Sequence, residues 1–449
     1  MPVSLIVLAA GQGTRMLSDL PKVLHDLGGV PMFAHAVATG RALELERSIL
    51  VAGHGFEAVE AAAQALDDDI VVARQTEQLG TAHAVLQAKQ ALAQVAGDAV
   101  VLYADTPFIR PQTLEAMAAA RAEGADVVVL GFEAQDPGRY GRLVVEGGAL
   151  TRIVEFKDAT EAERAITLCN SGVVMAEAAL LFELVGAVGN DNAAGEYYLT
   201  DIVEIARTRG LSSVAVRCDE AETLGINTRA ELAAAEARFQ ARARAQALAD
   251  GVTLIAPETV FFAQDTVLGR DALIEPNVYF GPGVTVETGA RIRAFSHLEG
   301  CHVSRDAIVG PYARLRPGAE LAEGARVGNF VEIKQAEIAA GAKVNHLTYI
   351  GDACVGENAN IGAGTITCNY DGVFKHRTDI GANSFIGSNT MLVAPVSIGD
   401  GAMTATGTVV TRDVPGGAMA VGRAKMDIKD GFWTRMHAKL KAKKAKQKK

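Results

Sequence analysis

Between residues 268 and 414 an aliphatic residue recurs at every sixth position, often followed by Gly or a small residue. The run reads LGRDAL, IEPNVY, FGPGVT, VETGAR and IRAFSH from Leu268. It continues as VGPYAR, LRPGAE, LAEGAR and VGNFVE from Val309, and as IGANSF, IGSNTM, LVAPVS and IGDGAM from Ile380. A period of six is not helical. Each unit predicts one very short strand and a bend: the aliphatic residue points inward, the fifth residue (Ala, Val, Ser, Thr or Cys) fits where space is limited, and a nearby Gly or Asn accepts the backbone of the bend. One hexad buries almost nothing, so stability has to come from stacked coils whose parallel strands line up along an axis. The rhythm slips by one residue between Leu298 and Val303, Ile333 and Ile338, and Ile350 and Val355. It breaks after Ile361, where TCNYDGVFKHRTD precedes Ile380, and this insertion predicts a loop on one face that can bind or catalyse.

Before the repeat, short β-rich runs alternate with Ala-rich stretches of helical spacing. SLIVLA at 4–9, SILVA at 48–52, DIVVARQ at 69–75, AVVLY at 99–103 and ADVVVLGF at 125–132 predict an α/β sheet with helices on both faces. In such sheets ligands gather beyond the carboxyl ends of the strands. The loop LAAGQGTRM at 8–16 follows the first strand, and LYADTP at 102–107 ends the fourth. GQG alone fits either a plain tight turn or a phosphate cradle. Arg15 and Lys22 add the charge a phosphate needs, although neither a P-loop nor a dinucleotide fingerprint is present. Asp105 fits a Mg²⁺ ligand or a helix N-cap.

A chain of 449 residues has room for two or three domains with real cores. Its net charge of −10 argues against nucleic-acid binding. The tail KLKAKKAKQKK at 439–449 reads as a solvated end. No apolar run is long enough to span a membrane, no export signal is expected, and the five scattered cysteines read as reduced thiols of a cytoplasmic protein.

Over nearly its whole length the chain resembles the family of bifunctional N-acetylglucosamine-1-phosphate uridyltransferase / glucosamine-1-phosphate acetyltransferases. The first half carries LAAGxGTRM, LPK, QLGTAHA at 78–84, GRYGR at 138–142, VEFKDA at 154–159, NSG at 170–172 and GEYYLTD at 195–201. The second half carries RLRPGAEL at 314–321, VGNFVEIK at 327–334, HLTYIGD at 346–352 and NIGAGTITCNYDG at 360–372. The resemblance implies a Rossmann-like α/β nucleotidyltransferase domain at 1–227, a helical linker at 228–251, a left-handed parallel β-helix of hexapeptide repeats at 252–425, and a C-terminal segment at 426–449. Left-handedness comes from the resemblance alone.

For uridylyl transfer the resemblance implies that Leu8, Ala9, Ala10 and Gly11 contact the nucleotide, that Arg15 and Lys22 hold phosphates, and that Gln75, Gly80 and Thr81 read uracil. Asp105 and Asn227 would hold Mg²⁺, while Gly141, Glu155 and Asn170 would contact the sugar. The phosphate of N-acetylglucosamine-1-phosphate would attack UTP and release pyrophosphate. For acetyl transfer, Arg316 and Lys334 would bind the phosphate of glucosamine-1-phosphate, Tyr349 and Asn360 its sugar, and His346 would be the general base. Ala363, Asn369, Tyr370, Ser388 and Arg423 would bind acetyl-CoA. Family members are typically homotrimers. The chain departs from the family pattern at Ala104, where Gly is common, at Gln12, where a positive charge is common, and at Thr406, where Ala is frequent.

Two other readings stand beside this one: a nucleotidyltransferase with a repurposed solenoid, as in glucose-1-phosphate adenylyltransferases, and a non-catalytic scaffold. His346 together with Asn369 and Tyr370 favours the bifunctional reading over the first, and the clustered cations, Asp105 and His346 weigh against the second. Between the halves, Thr228 followed by Glu231 matches a capping box and Gly251 a helix stop. This predicts a helix that either connects the domains or packs within the first.

Overall fold

The computed structural model describes residues 2–447, which form two compact units dividing between Ala243 and Arg244. In the first unit the strand Val3–Ala9 lies between Asp98–Tyr103 and Leu45–Ala52, parallel to both, with Ile70–Arg74 beyond. On the other side Leu168–Glu177 runs antiparallel between Asp98–Tyr103 and Val127–Glu133, and Ser213–Cys218 closes the edge. The chain leaves Val3–Ala9 in one direction and returns on its other flank at Asp98–Tyr103. The loops after these two strands therefore open a crevice between them.

Alternation along each strand feeds two cores. Ile6, Leu8, Val101 and Val129 pack on one face with the helix Ala178–Val185, while Leu5, Val7, Val100 and Val128 pack on the other with Phe33, Val59 and Leu114. The sequence reading missed Leu168–Glu177, Ser213–Cys218 and the hairpin Arg142–Glu146/Ala149–Val154. The long strand escapes notice because Asn170, Ser171 and Gly172 interrupt its apolar run, where the pairing register also shifts.

In the second unit strands stack in parallel, mostly at offsets of 17 or 18 residues, three hexads per coil. Leu273 pairs with Arg291, Arg291 with Ile308, and Ile308 with Arg326. The coils of 17 are those containing the slips: Cys301 pairs with Val284, and Ala336 with both Ala319 and Ala353. Residues opening the hexads from Ile274 onward are buried, as are fifth-position residues such as Ala290, Ser296, Ala313 and Thr390. The fourth position turns the corner at positive φ, as at Asn277, Asn383 and Asn389.

Phe295, Tyr312 and Phe330 occupy the same left-handed corner without the help of Gly or Asn. A left-handed residue costs about 1–2 kcal/mol. Their rings stack in sequence at centroid distances of 4.9 and 5.2 Å, and an aromatic pair returns about 0.5–1.5 kcal/mol. The stack roughly offsets the strain while leaving all three rings exposed.

The repeat breaks later than its aliphatic signal suggests. Ile366–Cys368 is still part of the coil, pairing with Tyr349 on one side and Met391–Val393 on the other. Thr367 takes the inward position that an aliphatic residue fills elsewhere. It is 1% exposed, with its hydroxyl accepting from Gly351 N–H at 2.8 Å and donating to Gly351 C=O at 3.1 Å. Only at Asn369 does the chain leave the coil, returning at Thr378, so that Asn360 pairs with Phe385, an advance of 25 residues.

The helix Arg229–Ala249 begins with the expected reciprocal bonds, Thr228 N–H to Glu231 at 2.9 Å and Glu231 N–H to the Thr228 hydroxyl at 3.2 Å. Its first half packs on the first unit, where Phe239 meets His35 edge-on and Glu236 accepts from Gly28 N–H. The C-terminal tail is solvated as expected but ordered: Phe432–Gln447 is an exposed helix, with Lys448 and Lys449 outside the described residues. Its residues are strong helix formers, which is sufficient reason for the order. No helix among the described residues is long and apolar enough to cross a membrane, and the five cysteines are free.

In the first unit half-buried Asp201 is pushed up to about 6 by burial, with Glu204 and Asp158 adding repulsion. Between the ordinary carboxyl value of about 3.9 and 6 the folded state keeps a proton that the unfolded chain has released, so stability falls as pH rises across that window. Chemical denaturation at pH 4 and pH 7 is expected to show Asp201→Asn removing part of this loss, on the order of 1–2 kcal/mol once solvent screening is allowed for. In the second unit Ile350 is fully buried on the ladder Leu315, Ile333, Ile350. Ile350→Ala is expected to cost about 2–5 kcal/mol in the same measurement.

Candidate active sites

In the first unit a cavity of about 310 Å³ opens at the crevice beyond Val3–Ala9 and Asp98–Tyr103. Leu8, Ala9, Ala10, Gly11, Lys22, Gln75, Gly80, Thr81 and Asp105 line it. Its far wall is built by a clip between distant segments: Tyr197 N–H donates to Leu79 C=O, Ala82 N–H to Tyr197 C=O, and Leu199 N–H to the Thr81 hydroxyl. Gly80 permits that clip, since at φ +114° an added Cβ would lie 2.5 Å from Tyr197 O. The clip also brings Glu196 to the cavity, a residue the sequence reading quoted within a motif without assigning it. Gln78, likewise unassigned, lines the wall and donates to Ala10 C=O at 2.8 Å.

Lys22 sits at the centre of this arrangement, nearly buried, its ammonium donating to Asp105 Oδ2 at 2.5 Å and to Asn227 Oδ1 at 3.0 Å. Ile226 N–H binds Asp105 C=O at 2.9 Å, which pins the loop carrying Asn227. Asp105 therefore caps no helix. Two oxygens converging on one positive charge fit a hard divalent cation, which takes one or two protein oxygens and completes its shell with phosphate and water. Among the described residues no cluster of three or more His, Cys, Asp or Glu is arranged for a metal, so substrate oxygens have to supply the rest. Gly13 also makes room for Lys22: at φ +62°, a Cβ there would lie 2.5 Å from Lys22 Cβ, so glycine lets the loop close over the lysine stem.

Arg15 is exposed and does not line the cavity. Ala104 is buried in the core under the sheet, so its methyl does not enter the cavity. Gln12 borders an adjoining pocket with His54 and Arg74. Gly141, Glu155 and Asn170 adjoin one another: Asn170 N–H donates to Gly141 C=O at 2.9 Å, and a Cβ on Gly141 would stand 3.5 Å from Glu155 Oε1. Burial raises the Glu155 carboxyl, opposed by a hydrogen bond from Thr200 and reinforced by Asp201 and Asp158. Tyr103, between Asp105, Glu155 and Thr81, has its phenol pushed up by burial and by these two carboxylates.

In the second unit the coil register aligns the predicted residues. Asn360 pairs with Lys343 and Phe385, and Phe385 with Met403, so His346, Ala363, Ser388 and Thr406 occupy equivalent positions on successive coils. Below them Asn329 pairs directly with His346, its Oδ1 3.1 Å from His346 Nδ1. Arg423 donates to Thr406 C=O at 3.4 Å. A second column holds Arg316 and Lys334, adjacent in register to Leu315 and Ile333. Arg316 binds Glu332 at 2.9 Å, and its buried Nε has no hydrogen-bond partner among the described residues. Tyr349 OH accepts from Asn369 at 3.4 Å, and Asn369 also donates to Asp352. Tyr370 is exposed, Asn360 half-buried.

Residues 5–184 match the MobA-like NTP transferase domain, and residues 377–412 match the bacterial transferase hexapeptide (six repeats). The second match accords with left-handed coiling, and the second unit is a left-handed parallel β-helix. Three proteins called Bifunctional protein GlmU align with nearly the whole chain. That of Jannaschia sp. (strain CCS1) is 64% identical over 98% of this chain and 97% of its own length. That of Cereibacter sphaeroides (strain ATCC 17023) is 68% identical over 100% and 98%, and that of Dinoroseobacter shibae is 68% identical over 99% of each. With both transferase architectures on one chain and likeness of this depth from end to end, the chain belongs to the bifunctional GlmU family.

Proposed function

We propose that the chain makes UDP-N-acetylglucosamine in two steps, the second unit acetylating glucosamine-1-phosphate from acetyl-CoA and the first joining the product to UMP from UTP with release of pyrophosphate. The observation that carries this reading is the meeting of Lys22, Asp105 and Asn227, from three distant segments, at the sheet's carboxyl edge, where Lys22 and Asp105 line a cavity.

In the first unit Asp105 and Asn227 would hold Mg²⁺, which when bound neutralises phosphate charge. Lys22 then turns its ammonium from Asp105 toward the phosphates, and Arg15 approaches them from the exposed rim. Leu8 to Gly11 contact the nucleotide, and Gln75, Gly80 and Thr81 read the base. Gly141, Glu155 and Asn170 contact the sugar. The acceptor phosphate displaces pyrophosphate at the α-phosphorus, and these residues act mainly by positioning and by neutralising charge.

In the second unit the amine of glucosamine-1-phosphate attacks the thioester carbonyl as His346 takes its proton, and the thiol of CoA leaves. Asn329 orients the imidazole. Arg316 and Lys334 hold the phosphate, a reading supported by the buried, unpartnered Arg316 Nε. Tyr349 and Asn360 contact the sugar, and Ala363, Asn369, Tyr370, Ser388 and Arg423 bind acetyl-CoA. The domains follow the bounds 1–227, 228–251, 252–425 and 426–449. The chain works in the cytoplasm as a homotrimer, and the exposed rings of Phe295, Tyr312 and Phe330 supply apolar surface for association.

With glucosamine-1-phosphate, acetyl-CoA, UTP and Mg²⁺, the folded protein is expected to yield pyrophosphate and the nucleotide sugar; failure of both half-reactions would reject the reading. His346→Ala is expected to slow acetyl transfer by about 10²–10⁴-fold while sparing uridylyl transfer. Asp105→Ala is expected to do the reverse, by about a hundredfold or more. Loss of both activities in each stably folded variant would refute the division into two sites.

A further inference from the structure

The excursion between Asn369 and Thr378 is folded on itself around one carboxylate. Asp371 Oδ1 accepts from Val373 N–H at 2.8 Å and Phe374 N–H at 2.7 Å, while Oδ2 lies 2.7 Å from His376 Nε2. Three bonds to this carboxylate thus come from groups two, three and five residues ahead. The two ends of the turn are joined by His376 N–H donating to Asn369 C=O at 2.8 Å, and Tyr370 forms a bridge with Lys375. Lys375 Nζ stands 4.4 Å from the centroid of the Tyr370 ring, and Tyr370 OH donates to Gly372 C=O at 2.5 Å.

The loop gets no help from a core. Tyr370, Val373 and Phe374 are 57%, 74% and 66% exposed, so apolar burial cannot hold its shape. Asn369 is different: it is buried and tied to the coil through Asp352 and Tyr349. Everything from Tyr370 to Lys375 depends on bonds internal to the loop. The Asp371 carboxyl is held down to about 2 by the hydrogen bond from His376, then by those from Phe374 and Val373, so it is an anion at neutral pH. An ionised acceptor makes these the loop's strongest bonds.

We propose that Asp371 and His376 form a latch that shapes the Tyr370–Lys375 turn before acetyl-CoA arrives, making His376 a positioning residue for the acyl donor. The idea rests on the reading that Asn369 and Tyr370 contact that donor. A loop already folded spares the donor the entropy of ordering it, so the latch acts on donor affinity and leaves the proton transfer at His346 alone. His376 touches neither the amine nor the thioester in this scheme and works only through Asp371.

The test compares the full-length chain with His376→Ala, which removes the donor, and His376→Gln, which restores an N–H at similar reach. Steady-state acetyl transfer is measured with acetyl-CoA and glucosamine-1-phosphate each varied, uridylyl transfer serves as a control of the first unit, and hydrogen exchange is followed in peptides spanning 369–377. His376→Ala is expected to raise KM for acetyl-CoA about tenfold and to speed exchange at Val373 and Phe374. It is expected to hold kcat and the acceptor KM within about threefold, leave uridylyl transfer unchanged, and be rescued by His376→Gln. Unaltered exchange in His376→Ala would overturn the latch itself. Faster exchange with an unchanged KM, a fall confined to kcat, or equal losses in the Ala and Gln variants would overturn its part in donor binding. If the unsubstituted chain transfers no acetyl group, the reading of the unit fails and the donor role falls with it, while the exchange data still decide whether the latch exists.

Discussion

A narrow interior filled coil upon coil by the inward residues of the hexads governs the C-terminal unit. Each coil presents six inward positions, two from each of three hexads, and three corners. Every inward residue must therefore match the ones stacked on it, as Leu315, Ile333 and Ile350 do. Where the stack meets Thr367 the match is kept by polar means, with the hydroxyl satisfied by the backbone of Gly351. A buried hydroxyl left without such bonds would cost roughly 1–3 kcal/mol, so the backbone of one coil licenses the side chain of the next. The same stacking aligns His346 with Ala363 and Ser388, which means the geometry of the second site is a by-product of core packing.

The first unit builds its site by another route. Its sheet supplies two rigid strand ends, and the chemistry comes from loops that reach across them. Lys22 meets Asp105 and Asn227 from positions 83 and 205 residues away in sequence. Each contact depends on a backbone bond made elsewhere, such as Ile226 N–H to Asp105 C=O, or Gly13 yielding space to the lysine stem. The pocket wall is likewise held by the clip between residues 79–82 and 197–199. Such a site tolerates change in its helices more readily than in these few joints.

How far each feature could be read from sequence follows from these two modes of construction. A repeat announces its geometry locally: the six-residue period, the one-residue slips and the inward fifth position all reappear as coils of 17 or 18 residues with buried Ala, Ser and Thr. The signal failed where chemistry replaced hydrophobicity, because Thr367 packs inward yet does not look aliphatic, so the break seemed to begin before it did. In the sheet, strands with uniform Val, Ile and Leu were legible, whereas Leu168–Glu177 was hidden by three polar residues at its middle. The residues lining the cavity were legible as motifs. Glu196 and Gln78 were not assigned, since only the clip to Tyr197 and the bond to Ala10 bring them there. Nor does sequence distance reveal that Lys22, offered as a phosphate ligand, stands between the two oxygens offered to a cation.

The departure of the chain from the solenoid at Asn369 and its return at Thr378 leave the coils on either side in register. On the proposed reading one part of the donor contact, Tyr370, thereby lies off the ladder, while Ala363 and Ser388 stay on the coils. Selection can lengthen, shorten or recolour the excursion without touching the ladder that holds the unit together, and can harden the ladder without disturbing what the excursion grips. If the excursion contacts the acyl donor, as proposed, donor preference can drift among descendants of one ancestral enzyme with little effect on heat tolerance.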